Sequence, residues 1–183
     1  MTKQENLRKI GELNGKCPIC GEETFRITYH IYTTPYVGDI IIETGKCSTC
    51  GFRWADVGLL ESGKPSRLVL EVNGATELNA IVVKSAPAII KIPELGVEIT
   101  PGPAAQGYIT TVEGVLLRIL EHIPSECLKE GSECYAKVQD IREAMKGNVK
   151  FTFILEDPSG KSSIFGEGVN VKVEELQTED IEP

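Results

Sequence analysis

The feature that most constrains this chain is a repeated pentapeptide. Cys17-Pro18-Ile19-Cys20-Gly21 recurs as Cys47-Ser48-Thr49-Cys50-Gly51, and each copy follows a lysine, Lys16 or Lys46. A Cys-x-x-Cys turn aims two sulfurs at one point. The glycine after it supplies the positive φ that turns backbone N–H groups towards those sulfurs. Two such turns complete a tetrahedral set of thiolates for Zn²⁺. One Cys-x-x-Cys alone would equally suit a redox dithiol, but the doubling selects zinc. The stretch between the pairs can hold a hairpin, with strands over Phe25–Tyr32 and Ile40–Thr44 and a turn at Pro35-Tyr36-Val37-Gly38-Asp39. The expectation is a Cys₄ zinc ribbon within residues 1–60, with Cys17, Cys20, Cys47 and Cys50 as ligands. All four positions are filled, so no site remains for water or substrate and the ion is structural. A ribbon of this size buries little core and draws most of its folding free energy from the metal. Lys16, Lys46 and Arg53 partly balance the negative charge of four thiolates and one Zn²⁺.

Composition narrows the class further. The 183 residues are 41% hydrophobic and 25% charged, as in soluble chains of one large or two small domains. No apolar run approaches the ~20 residues of a membrane span. The opening MTKQENLRKIGELNGK has no apolar signal region, so the cytoplasm is the expected compartment. A net charge of −8 argues against general nucleic-acid binding, which needs clustered Lys and Arg. Much of the acid sits in the terminal KVEELQTEDIEP, which reads as a solvated tail.

Beyond the ribbon the pattern turns to strands. Candidates are Leu68–Val72, Leu78–Val83, Ala88–Ile92, Leu95–Ile99, Val149–Leu155, Ser162–Phe165 and Val169–Val173. Their β-branched residues and regular turns suggest an antiparallel sandwich or a barrel-like β domain over residues 61–183. Two helices interrupt it. Val112, Val115, Leu116, Ile119, Leu120 and Ile123 fall on one helical face, and Pro124 ends the run. Thr110 and Glu113 fit the capping box that would start it. A second helix is expected from Cys134 to Lys146. The pair makes a helical hairpin inserted at about 108–148, entered through the Pro101-Gly102-Pro103 loop. Cys127 and Cys134 flank the turn between the helices, either as two free thiols or as a disulfide clipping that turn.

Taken in order, KCPICG, KCSTCGFR, VVKS, KIPELGVEI and TTVEG resemble the ZPR zinc-finger family, from about Gly15 to about Val173. The resemblance implies a mainly β fold, a Cys₄ ribbon followed by a double-stranded β-helix of jelly-roll type with an inserted helical hairpin. It implies zinc on the four cysteines above, and translation elongation factor 1-alpha as partner. It marks Lys84 and Ser85, Ile92, Pro93, Glu94 and Leu95, and Thr110, Thr111, Val112, Glu113 and Gly114 as signature positions. Of these, Lys84, Ser85, Pro93, Glu94, Thr110, Thr111, Glu113 and Gly114 are candidate partner contacts. Plainer roles compete with that one: Pro93 as a strand breaker, Lys84 and Ser85 as an exposed turn, Glu94 as a solvated acid. Eukaryotic members carry two such modules and this chain carries one, as archaeal-type members do. Ala86-Pro87-Ala88-Ile89 stands where the family often has Thr-Ala-Thr-Ile.

The function expected is non-catalytic binding of elongation factor 1-alpha, during its folding or in its GDP state. Tyr29, Tyr32, Tyr36, Phe52 and Trp54 are candidate aromatic anchors, or else core of the ribbon. The alternative is a nucleic-acid-binding ribbon of transcription or translation, which the charge opposes. An enzyme has little to work with. The only histidines are His30 in the ribbon and His122 in the hairpin, and no GxSxG, P-loop or Rossmann fingerprint is present.

Overall fold

A computed structural model describes residues 7–34, 37–61, 63–102 and 104–176. The first four strands form one antiparallel sheet in chain order: β1 (Leu7–Gly15), β2 (Phe25–Thr34), β3 (Gly38–Cys47) and β4 (Arg53–Leu59). The β2–β3 hairpin is the one expected between the cysteine pairs. Pro35 and Tyr36, in its anticipated turn, lie outside the described residues. The flanking strands were not expected, for physical reasons. In β1 the register shifts between Lys9 and Gly11, which breaks the period-two pattern. Its Leu7, Ile10 and Leu13 are all exposed, so no buried face announces it. In β4 the buried positions are Asp56 and Gly58, the reverse of an apolar alternation.

The rest of the chain forms two more sheets. β5 (Ser66–Val72) leads to a short helix α1 (Ala75–Leu78), then β6 (Ile81–Lys84) and β7 (Ile89–Ile92). A 3-10 turn at Pro93–Leu95 precedes β8 (Val97–Ile99) and β9 (Tyr108–Thr111). The hairpin follows as α2 (Val112–His122), a 3-10 turn at Ser125–Leu128 and α3 (Tyr135–Met145). β10 (Phe151–Asp157), β11 (Ser163–Phe165) and β12 (Val171–Glu175) complete the set. The strand orders are β12-β5-β10-β7-β8 and β11-β6-β9, and every pairing is antiparallel. One core joins them. Leu68, Leu70 and Val72 of β5 and Phe151, Phe153 and Leu155 of β10 share it with Val82, Ile90 and Ile164. Val112, Val115, Leu116, Ile141 and Ala144 of the two helices pack into the same cluster. Each Val, Leu, Ile or Phe of this core, removed from water, is worth about 1.5–3 kcal/mol, so this part of the chain is expected to fold without metal.

Several local expectations are corrected. Leu78–Val83 is not one strand. The N–H groups of Asn73 and Gly74 both donate to the Glu77 carboxylate at 3.1 Å, winding residues 75–78 into a helical turn. Leu78 and Ala80 are buried all the same. The strand expected from Leu95 starts at Val97, because Pro93–Leu95 coils first. Thr110 does not cap α2. It pairs with Val82 inside β9, and the strand runs on to Thr111 opposite Ile81. Thr111 is the cap, its hydroxyl accepting from the Gly114 N–H at 3.0 Å. The first part of the supposed acidic tail is strand β12, followed by buried Leu176; residues 177–183 lie outside the described residues. Cys127 and Cys134 are joined by a disulfide that ties the turn to the start of α3.

Candidate functional site

The two knuckles repeat one backbone design. Cys17 N–H donates to Glu22 O at 2.8 Å and Gly21 N–H to Cys17 O at 2.9 Å. In the second knuckle Cys47 N–H donates to Phe52 O at 2.9 Å and Gly51 N–H to Cys47 O at 3.2 Å. Gly21 and Gly51 take φ values of 76° and 77°, the left-handed turn that the sequence reading requires of them. The knuckles bring Cys17, Cys20, Cys47 and Cys50 together with all four sulfurs within 4.8 Å of one another. Cys17 to Cys50 and Cys20 to Cys47 both measure 3.7 Å. A tetrahedron with Zn–S bonds of about 2.3 Å has sulfur–sulfur edges of about 3.8 Å, so the cage has the right size.

The protonation chemistry also fits a cation. The Cys50 N–H and then the Thr24 hydroxyl pull the Cys47 thiol down to about 6. At Cys20 the Glu22 backbone favours the thiolate, but desolvation and the neighbouring sulfurs push it up to about 12. Four thiols this close cannot all ionise unless a cation joins them, and soft thiolates in this geometry select Zn²⁺. The protein binds one structural zinc here. Beneath it Phe25 stacks on Phe52 with ring centroids 5.8 Å apart, and Ile27 and Trp54 complete a small core. Two of the candidate anchors, Phe52 and Trp54, therefore serve the ribbon itself. Tyr29 and Tyr32 are half-buried, and Tyr36 lies outside the described residues.

A second constellation lies where the ribbon meets the jelly roll, and sequence reasoning missed it. Asp56 of β4 is buried and accepts the Val57 N–H at 2.8 Å and the Ala86 N–H at 2.7 Å. Trp54 donates across the same seam to Ala105 O at 3.3 Å. Gly107 lies so close that a Cβ there would stand 2.1 Å from Asp56 Oδ1 and 2.7 Å from Val57 N. Lys84 and Ser85 are on the jelly-roll side and both are buried, not an exposed turn. Lys84 Nζ donates to Ser85 O at 3.0 Å and faces the Tyr108 ring at 5.7 Å, whose other neighbour is Arg118 at 4.5 Å. Burial lowers the Lys84 pKa, with Asp56 and Asp157 opposing; burial likewise raises that of Asp56.

Ser85 is held from both sides. Its N–H donates to Ser162 Oγ at 3.0 Å, and its hydroxyl accepts from Ser162 at 3.1 Å and Ser159 at 3.3 Å. The Asp157 carboxylate fills the loop 157–162, accepting from the N–H groups of Ser159, Lys161 and Ser162 and from the Ser159 hydroxyl at 2.6–2.9 Å. Burial alone would raise its pKa, but those hydrogen bonds outweigh it and hold it below the usual range. Lys161 and Ser162 therefore spend their backbone donors on the Asp157 carboxylate, while Gly160 N–H donates to the Asp157 backbone oxygen at 3.3 Å. Lys161 then pairs with Glu43 of β3 at 2.9 Å, and its carbonyl accepts Leu59 N–H at 2.8 Å.

The remaining signature positions sit elsewhere. Glu94 accepts the N–H and hydroxyl of Thr152 at 3.0 and 2.8 Å, while its backbone oxygen takes Lys137 Nζ of α3 at 3.2 Å. Pro93 beside it is exposed. Thr110, Thr111, Glu113 and Gly114 form the entry to the hairpin, with Glu113 exposed in the first turn of α2. The structure gathers the four cysteines and the seam residues, but it does not gather the signature positions into one patch.

The geometry defines a class: a Cys₄ zinc ribbon clasped to a jelly roll that carries a helical hairpin. Residues 76–182 match the ZPR1 jelly-roll domain family. A ZPR1-like protein of Methanocaldococcus jannaschii is 42% identical over 97% of this chain and 89% of its own length. Another, from Pyrococcus horikoshii, is 33% identical over 94% of this chain and 81% of its own. The zinc finger chaperone zpr1 of Schizosaccharomyces pombe is 30% identical over 85% of this chain but only 35% of its own length. The chain belongs to the ZPR1 zinc-finger family.

Proposed function

We propose that this chain is a non-catalytic, chaperone-type binding protein whose client is translation elongation factor 1-alpha, engaged during folding or in the GDP state. The observation that carries the reading is the seam. It joins ribbon and jelly roll through buried, fully partnered polar groups, so ribbon and hairpin present two surfaces at a fixed spacing. The client follows from the family resemblance, and the chaperone character from the similarity to the zinc finger chaperone zpr1 of Schizosaccharomyces pombe. A translation factor as client makes the cytoplasm the expected place of work.

In this reading the candidate contacts divide by role. Pro93 and Glu113, both exposed, touch the client. Glu94, Thr110, Thr111 and Gly114 set the angle of the hairpin. Lys84 and Ser85 act at a distance by fixing the ribbon. The non-catalytic character rests on the use already made of each reactive group: the thiolates are zinc ligands, and the hydroxyls of Ser85, Ser159 and Ser162 bond to one another or to Asp157. The test is a pull-down from extract of the source cells with the intact chain and with Cys50→Ser. Elongation factor 1-alpha is expected with the intact chain and depleted with the variant. Its absence from the intact sample under mild conditions would sink the proposal.

A further inference from the structure

The ribbon carries a row of cations that the proposed client reading does not use. Arg26 of β2 lies directly opposite Lys46 of β3, and Lys46 directly opposite Arg53 of β4. Paired residues in neighbouring antiparallel strands share a face, with Cβ atoms about 4.5–5.5 Å apart. Three like charges thus stand side by side across three strands, an arrangement that disfavours the sheet unless an anion meets it. Asn14 of β1, opposite Arg26, adds an amide donor at the end of the row. All four residues are exposed. Arg26 touches Glu12 at 3.3 Å, while Lys46 and Arg53 have no ion pair among the described residues.

Two of the three cations also line a cleft. It measures about 430 Å³ and is bordered by Arg26, Lys46, Asn14 and Ser48, so four kinds of donor converge on it. The Thr24 hydroxyl at its edge is already engaged by Cys47 and Thr49, and Arg53 extends the row beyond it. Balancing the zinc–thiolate charge does not explain the row fully. Lys46 immediately precedes Cys47, so the two side chains leave opposite faces of β3.

We infer that this row is a docking strip for a short acidic peptide segment of a partner protein. The binding is carboxylate to guanidinium and ammonium, in the geometry that arginine forks favour. A peptide is favoured over a nucleic acid by what surrounds the row. Glu23 lines the same cleft, Glu12 and Glu22 are near in sequence, and the chain carries −8 overall. A continuous polyanion would have to run past those acids, whereas a short acidic segment confines its charge to the cations. This inference goes beyond the elongation-factor reading and stands or falls separately from it.

The experiment is fluorescence anisotropy on the zinc-loaded full chain. The probe is a short labelled peptide of alternating glutamate and glycine, with labelled oligouridine as competitor class. The wild type binds the peptide in low salt and releases it as salt rises. Arg26→Gln/Lys46→Gln/Arg53→Gln weakens binding by about tenfold, as three exposed charge pairs imply, while zinc content and circular dichroism stay unchanged. Lys64→Gln/Lys172→Gln on the jelly roll leaves binding unchanged. Glu23→Gln strengthens it, a gain that misfolding cannot produce. Equal peptide binding by the triple variant would overturn the inference. So would weaker binding by Glu23→Gln, or tighter binding of oligouridine than of peptide. A wild type that ignores the peptide, with zinc lost from the triple variant, would assign the row to charge balance alone.

Discussion

At the scale of single residues, the seam sets the strictest requirements. Gly107 has no room for a methyl group against Asp56 and Val57. Gly107→Ala is expected to cost about 1–3 kcal/mol through the shifts it forces, read as a lower midpoint in urea. Asp157 is the other sensitive point. Asn in its place cannot accept from three N–H groups and a hydroxyl together, so Asp157→Asn strands buried donors at about 1–3 kcal/mol each. The pH dependence has a definite sign. The carboxyl of Asp157 is held below its ordinary value; so is that of Glu156, where burial is outweighed by Lys91 and Arg67. A depressed folded pKa stabilises the protein above the unfolded values, about 3.9 for Asp and 4.3 for Glu. That contribution is lost as pH falls through the folded values. Stability should therefore drop steeply below about pH 4, and Asp157→Asn should flatten the slope. An unchanged slope in chemical denaturation would count against this role for Asp157. The zinc ligands were legible because each knuckle is local: the spacing and the following glycine carry the geometry. The seam was not legible, because Asp56, Lys84 and Asp157 are far apart in sequence and polar, and buried polar residues give no periodic signal.

At the scale of elements, the hairpin is the informative case. Its helices could be read from apolar spacing, since α2 buries Val112, Val115 and Leu116 on one face. The sequence pattern puts the cap one residue early, because Thr110-x-x-Glu113 satisfies the capping pattern while strand pairing with β6 carries Thr110. The two threonines should therefore respond differently. Thr111→Ala is expected to cost about 1 kcal/mol, and Thr110→Ala less, measured by thermal unfolding followed at a helix-sensitive wavelength. The disulfide closes a short loop, for which the chain-entropy estimate is about 2–3 kcal/mol. Reduction should thus increase hydrogen exchange in residues 125–138 and leave the sheets protected. Two strands and one helical turn carry no periodic signal: β1 is bulged with no buried face, β4 buries Asp56 and Gly58, and α1 is wound by the Glu77 carboxylate.

At the scale of the whole molecule, two sources of stability are joined. The jelly roll and its hairpin share a continuous apolar core. Around the zinc centre the ribbon has a small cluster of buried Cys17, Phe25 and Cys47, with Ile27, Phe52 and Trp54 packed against them. Chelation of zinc should unfold the ribbon and leave the jelly roll folded, seen as loss of exchange protection confined to residues 7–59. Between them the seam makes one body, and it is this rigidity that the two proposed client-binding surfaces require. The measurement that tests it most directly is a hydrogen-exchange footprint of elongation factor 1-alpha on the zinc-loaded chain. Added protection is expected on both the ribbon and the α2–α3 hairpin, lost from both after chelation. Protection confined to one of them, or surviving zinc removal, would contradict it.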